Sequence, residues 1–149
     1  MFHDGELIHE RAKARLFRLG QEEKYMSQGD DESFEIFEID GIKIALFICF
    51  ELRFKELWQK AEGADLILVP AWWGKPRSEH FETLTKALAL MNECYVLVSD
   101  ALNAECTGIS GIVTPQGEMV LNGNKPCLIQ RYNKKNITLM RRYIDIGID

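Results

Sequence analysis

The chain has 149 residues, 46 % of them apolar and 28 % charged, with a net charge of −5. That is the profile of one soluble globular domain with a real hydrophobic core. The acidic balance argues against a nucleic-acid partner, and the longest apolar stretches, around 44–50 and 66–73, are too short to span a bilayer.

The opening residues, Met1-Phe2-His3-Asp4-Gly5-Glu6, lack the charged-then-apolar pattern of a secretory signal. A cytoplasmic location is the expectation. The next stretch, Arg11–Glu23, is highly charged and weakly periodic, and reads as extended or looped. Asp40-Gly41 then joins Phe34–Ile39 to Ile42–Phe50, a hairpin signal between two β-prone runs. Phe54, Leu57, Trp58 and Ala61 recur at helical spacing, and Gly63 closes that helix. Ala64–Pro70 reads as a second buried strand and Trp72–Arg77 as a loop. Ser78 is placed to cap a helix running to about Glu93, with Phe81, Leu84, Leu88 and Met91 on one stripe. A third strand follows at Cys94–Ser99.

This β-α-β-α-β alternation predicts a parallel sheet with right-handed crossovers. The tail changes character. Ile109–Thr114, a Pro115-Gln116-Gly117 turn, Glu118–Leu121 and Cys127–Tyr132 read as antiparallel strands, and Asn136–Tyr143 as a short terminal helix.

Cys49 ends the apolar run from Ile42 and is followed at once by Glu51-Leu52-Arg53-Phe54-Lys55-Glu56-Leu57. A buried strand thus delivers a thiol to the place where a helix is expected to begin. Free N–H groups and partial positive charge there favour a thiolate, and sites in open α/β sheets gather at the carboxyl ends of strands. The cysteines at 49, 94, 106 and 127 have neither CxxC nor Cys/His spacing, so neither a zinc site nor a disulfide framework is expected.

The motifs resemble those of the nitrilase superfamily, the carbon–nitrogen hydrolases. Cys49-Phe50-Glu51-Leu52-Arg53-Phe54-Lys55 is similar to the family's nucleophile motif, Cys-Tyr-Asp-Leu-Arg-Phe-Pro. Arg11-Ala12-Lys13-Ala14-Arg15-Leu16-Phe17 resembles its lysine motif. Pro70-Ala71-Trp72-Trp73, His80-Phe81-Glu82-Thr83-Leu84, and Gly108-Ile109-Ser110 leading to Pro115-Gln116-Gly117-Glu118 follow in the family's order. The resemblance runs from about Asp4 onward. Leu16-Phe17-Arg18 followed by Glu22 is most like the ω-amidase branch, whose substrates are small linear amides of dicarboxylic acids.

The resemblance implies an α/β fold, a nitrilase-like α-β-β-α sandwich, and a mechanism without metal or organic cofactor. Cys49 is the implied nucleophile, forming a thioester acyl-enzyme. Lys13 and the backbone N–H of Phe50 are the implied oxyanion donors. Trp73 maps to a wall of the substrate pocket, and Glu22 to a second acidic position that orders the site, with Gln21 and Glu23 adjacent in register. His80, Arg53 and Asn92 read as scaffold, because the family's chemistry uses no histidine. Taken alone, Cys49 would be a small core residue and Lys13 a solvated lysine; the ordered motifs change both readings.

The chain also departs from the pattern. The family's general-base glutamate lies well upstream of the lysine motif, so residues 1–149 are expected to form a partial domain, cut short at the N-terminal side. Lys55 replaces a proline, Asp100 stands where many members have asparagine, and Lys86–Asn92 keeps only part of an Arg-Ala-Arg-Ala-Ile-Glu-Asn pattern. The main expectation is hydrolysis of a small amide. The expected assembly is a homo-oligomer or a complex with a chain that supplies the missing half. The rival is a non-catalytic remnant or interaction module of the same fold, whose uncovered sheet face favours association. A cysteine hydrolase on an unrelated doubly wound sheet is a third reading.

Overall fold

The computed structural model describes residues 1–123, 125 and 127–148. A short hairpin, β1 (Phe2–His3) and β2 (Glu6–Leu7), opens the chain. The stretch from 8 to 36 is irregular apart from three single 3₁₀ turns, which agrees with the looped reading of Arg11–Glu23, while the strand expected from Phe34 begins only at Phe37. A six-stranded mixed sheet follows, in the simple order β3 (Phe37–Ile39), β4 (Ile42–Leu46), β5 (Leu66–Ala71), β6 (Tyr95–Asp100), β7 (Ser110–Val113), β8 (Met119–Leu121). Strands β4, β5 and β6 are parallel and the outer pairings are antiparallel. The β3–β4 turn puts Asp40 and Gly41 at φ 52° and 76°, the left-handed pair that a two-residue hairpin turn requires.

Helices α1 (Lys55–Lys60) and α2 (Ser78–Met91) make the two crossovers. Both steps go the same way across the sheet, so right-handed crossovers place both helices on one face. That face holds the core: Ala45, Phe47, Ile67, Val69, Val96, Val98 and Val113 meet Leu57, Ala61, Phe81, Leu88 and Ala89. Helix α3 (Lys134–Tyr143) starts at Asn133, whose side chain accepts from Lys135 N–H, and it buries Ile137. No described helix is long and apolar enough to cross a membrane.

Three local expectations are corrected. The chain after β4 enters a 3₁₀ turn at Cys49–Arg53, and the α-helix begins only at Lys55. Ser78 lies inside α2 after Arg77, and its hydroxyl donates to Lys75 O at 2.5 Å. Cys127–Tyr132 forms no strand; it lies beside the sheet's second face, with the Tyr132 ring 5.6 Å from that of Tyr95.

Candidate functional site

The carboxyl ends of β4, β5 and β6 converge on one place. Beyond β4 the backbone turns sharply at Cys49, whose φ of 52° is left-handed. For a residue with a Cβ this costs on the order of 1 kcal/mol or more, which the surrounding contacts must offset. The turn lifts the thiol out of the strand, and Sγ lies 3.5 Å from Trp72 O at the end of β5. The N–H of Phe50, in the first turn of the 3₁₀ segment, has no hydrogen-bond partner among the described residues.

Glu51 fixes this turn. Its side chain is fully buried, and it accepts from Ile48 N–H (2.7 Å), from Ala14 N–H (2.6 Å) and from both terminal nitrogens of Arg11 (2.7 and 2.8 Å). Arg11 also donates to Leu46 O at 2.7 Å. One carboxylate therefore clamps the segment on either side of Lys13 to the turn that carries Cys49. A buried pair of this kind is justified only when every lone pair is used, as here. Sequence reading passed over Glu51 and Arg11. They stand 40 positions apart, and the signal was a carboxylate sitting between Phe50 and Leu52 just beyond an apolar strand.

Lys13 Nζ donates to both oxygens of Glu22 at 2.7 Å, and Glu22 also accepts from Phe17 N–H at 2.7 Å. Of the three adjacent candidates, Glu22 is thus the one on the lysine. The charges of Lys13 and Glu22 both reach the thiol, in opposite senses. The stronger influence on it is burial, which pushes the Cys49 thiol up from its ordinary value. This reverses the expectation of a helix-stabilised thiolate: the segment after Cys49 is a short 3₁₀ turn with little dipole, and desolvation dominates.

The third wall comes from the β5 and β6 loops. Trp73 is buried against Phe81, and its indole donates to Arg77 O at 2.8 Å. Arg53 lies over the Trp73 ring at 4.9 Å and meets His80 Nδ1 at 2.9 Å, the scaffold role expected of both. Asp100 accepts from Trp73 N–H (2.7 Å), Thr107 Oγ1 (2.5 Å) and Gly108 N–H (3.2 Å), so it ties the loop after β5 to the loop after β6. Between them lies a small recess, open to solvent, lined by Phe17, Cys49, Phe50, Arg53, Trp73 and Arg77. The structure brings Cys49, Phe50 and Trp73 to this recess, with Lys13 and Glu22 close behind. Cys94 and Cys106 are buried, and Cys127 is exposed in the tail.

Residues 1–126 match the carbon–nitrogen hydrolase family. The 2-oxoglutaramate amidase of Bacillus subtilis is 34 % identical over 82 % of this chain and 49 % of its own length. The omega-amidase YafV of Escherichia coli K12 is 32 % identical over 78 % of this chain and 46 % of its own. The chain spans about half the length of these curated relatives. Among solved structures, Nit3 of Saccharomyces cerevisiae superposes with a TM-score of 0.84 at 25 % identity, over 97 % of this chain and 55 % of Nit3. The fold, the order of the motifs and these relatives agree: the chain belongs to the carbon–nitrogen hydrolase family of the nitrilase superfamily, in its ω-amidase-like branch.

Proposed function

We propose that the chain carries the nucleophile-bearing part of an amidase that hydrolyses the carbon–nitrogen bond of a small amide. The observation that supports this best is the Glu51 clamp, which registers the Lys13 segment against a strained cysteine elbow. In this reading Cys49 Sγ attacks the amide carbon, and the carbonyl electrons move onto oxygen. The Phe50 N–H and the Lys13 ammonium stabilise that oxyanion. The carbon–nitrogen bond then breaks, ammonia leaves and a thioester on Cys49 remains for water to hydrolyse.

The burial-raised thiol needs a base, and departing ammonia needs a proton. Glu22 has both oxygens engaged by Lys13 and Phe17, and Asp100 is held by three donors, so we assign both to positioning. The proton carrier is then a carboxylate of a further segment, in the same longer polypeptide or in a partner chain. The relatives, twice as long, support this division.

A second reading, a non-catalytic module, draws on the sheet's second face, where Leu97, Val120 and Leu121 remain exposed. Two assays on this chain and Cys49→Ala separate the readings: ammonia release from ω-amides and aliphatic amides, and p-nitrophenol release from p-nitrophenyl acetate at alkaline pH. The ester needs no proton on its leaving group, so Cys49-dependent release from it alone is the expected result. Cys49-dependent ammonia release would return the base role to Glu22. No difference between the two chains in either assay would leave the non-catalytic module.

A further inference from the structure

We propose that the groove between α3 and the amino ends of β4 and β5 is a second binding site, which takes the phosphate groups of a soluble diphosphate. The proposal goes beyond the amidase reading and does not depend on it. Lys43 and Asp65 line the strand side of the groove, and Lys134, Thr138, Arg141 and Arg142 the helix side. Lys43 stands near the start of β4, whereas Cys49 lies past its carboxyl end, so the groove is at the opposite end of the sheet from the thiol. Both walls are held in place. The buried Asp65 side chain accepts from Lys43 N–H at 3.0 Å, and its own N–H donates to Lys43 O at 2.8 Å. On the helix, Ile137 is buried, Asn136 donates to the Tyr95 hydroxyl and Arg141 donates to Ala64 O, both at 2.8 Å. Lys134, Thr138 and Arg141 recur at i, i+4 and i+7, so the helix presents them on one face.

The charge of the groove runs against that of the chain. The net charge is −5, yet residues 119–144 hold six lysines and arginines and no carboxylate. Three of the six, Lys134, Arg141 and Arg142, face the groove, and Lys43 joins them from β4. Two acids oppose these four cations. Asp65 is spent on the Lys43 N–H and lies 3.7 Å from Lys134, and Asp145 accepts from Gly147 N–H at 3.1 Å. Lys43 and Arg142 are exposed and form no ion pair with any described residue. Nearby, burial pushes the Glu93 carboxyl up, so it opposes an anion less than an ordinary glutamate would. Cations held on two walls are matched by an ion with acceptor oxygens on opposite sides. Phosphate groups have that arrangement and a planar carboxylate does not.

Equilibrium dialysis of the folded chain against radiolabelled inorganic pyrophosphate, with ionic strength held constant by sodium chloride, tests this. One saturable site per chain is expected. Lys43→Gln and Arg142→Gln should each weaken it about tenfold, and Lys43→Arg should keep most of it. Lys135→Gln removes an exposed charge of the same helix outside the groove and should leave the affinity within about twofold of the parent. Cys49→Ala should bind as the parent does, which separates this site from the amidase reading. Absence of saturable binding would overturn the proposal. So would equal losses in Lys43→Gln and Lys135→Gln, the mark of a diffuse basic surface. Sedimentation with phosphatidylglycerol vesicles and no retention of pyrophosphate would also overturn it, and would give the basic tail to a membrane surface instead.

Discussion

The two faces of the six-stranded sheet are built from the same strands and meet different surroundings. On one face, Ala45, Ile67, Val69, Val96 and Val98 are sealed beneath α1 and α2. On the other, the cross-strand row Leu46, Leu68, Leu97, Ile112 and Val120 follows the pairing register and is only partly covered, with Leu97 at 36 % and Val120 at 39 % exposure. Strands apolar on both faces are the pattern of a sheet meant to be covered on both sides. The covered face supplies stability and holds the three loops of the site in register. The open face supplies neither.

The largest expected effects lie where the covered side is stitched to the site. Removing one partner of a fully buried ion pair leaves the other uncompensated, so Glu51→Gln and Arg11→Met should each cost about 3–5 kcal/mol by chemical denaturation. Phe81→Ala should cost a similar amount through its cavity, about 3–5 kcal/mol. Leu97→Ala, on the open face, should cost under about 1 kcal/mol. Equal losses at Phe81 and Leu97 would mean that the two faces are not different after all. Leu97→Lys with Val120→Lys sharpens the contrast in another way. It should reduce self-association in sedimentation while leaving the denaturation midpoint nearly unchanged.

A smaller effect is electrostatic and local to Cys49. The Lys13 ammonium pulls the thiol down and the Glu22 carboxylate pushes it up, against the larger upward push of burial. The pH profile of Cys49 alkylation should therefore shift to higher pH in Lys13→Met and to lower pH in Glu22→Gln. Superimposable profiles would detach both residues from the thiol. The smallest effect is at Asp31, where the Arg15 guanidinium holds the carboxyl below its ordinary value. A depressed carboxyl contributes stability that is present above its unfolded pKa and lost as the pH falls through the folded one. Asp31→Asn should cost a few tenths of a kcal/mol at neutral pH, a gap that closes in acid.

Much of this was legible in the chain. Short-range patterns carried the Asp40-Gly41 hairpin, the two crossover helices and the parallel triplet, because each is a local period ended by a turn residue. Cys127–Tyr132 misled because an apolar alternation looks the same whether a segment pairs in a ladder or lies across a sheet. The site was half legible: Cys49 and Lys13 stood out through motif order, and Trp73 through its loop. Glu51 and Asp100 did not, since their roles are set by donors brought from distant segments. The raised thiol was illegible too, as it follows from burial that only the assembled loops create.

The most direct test is the intact mass of the chain after acid quench from p-nitrophenyl acetate at alkaline pH, with peptide mapping of the product. One acyl group on Cys49, absent in Cys49→Ala and formed about tenfold more slowly in Lys13→Met, is the predicted result. An acyl group carried elsewhere, or formed on Cys49 at an unchanged rate without Lys13, would contradict the account.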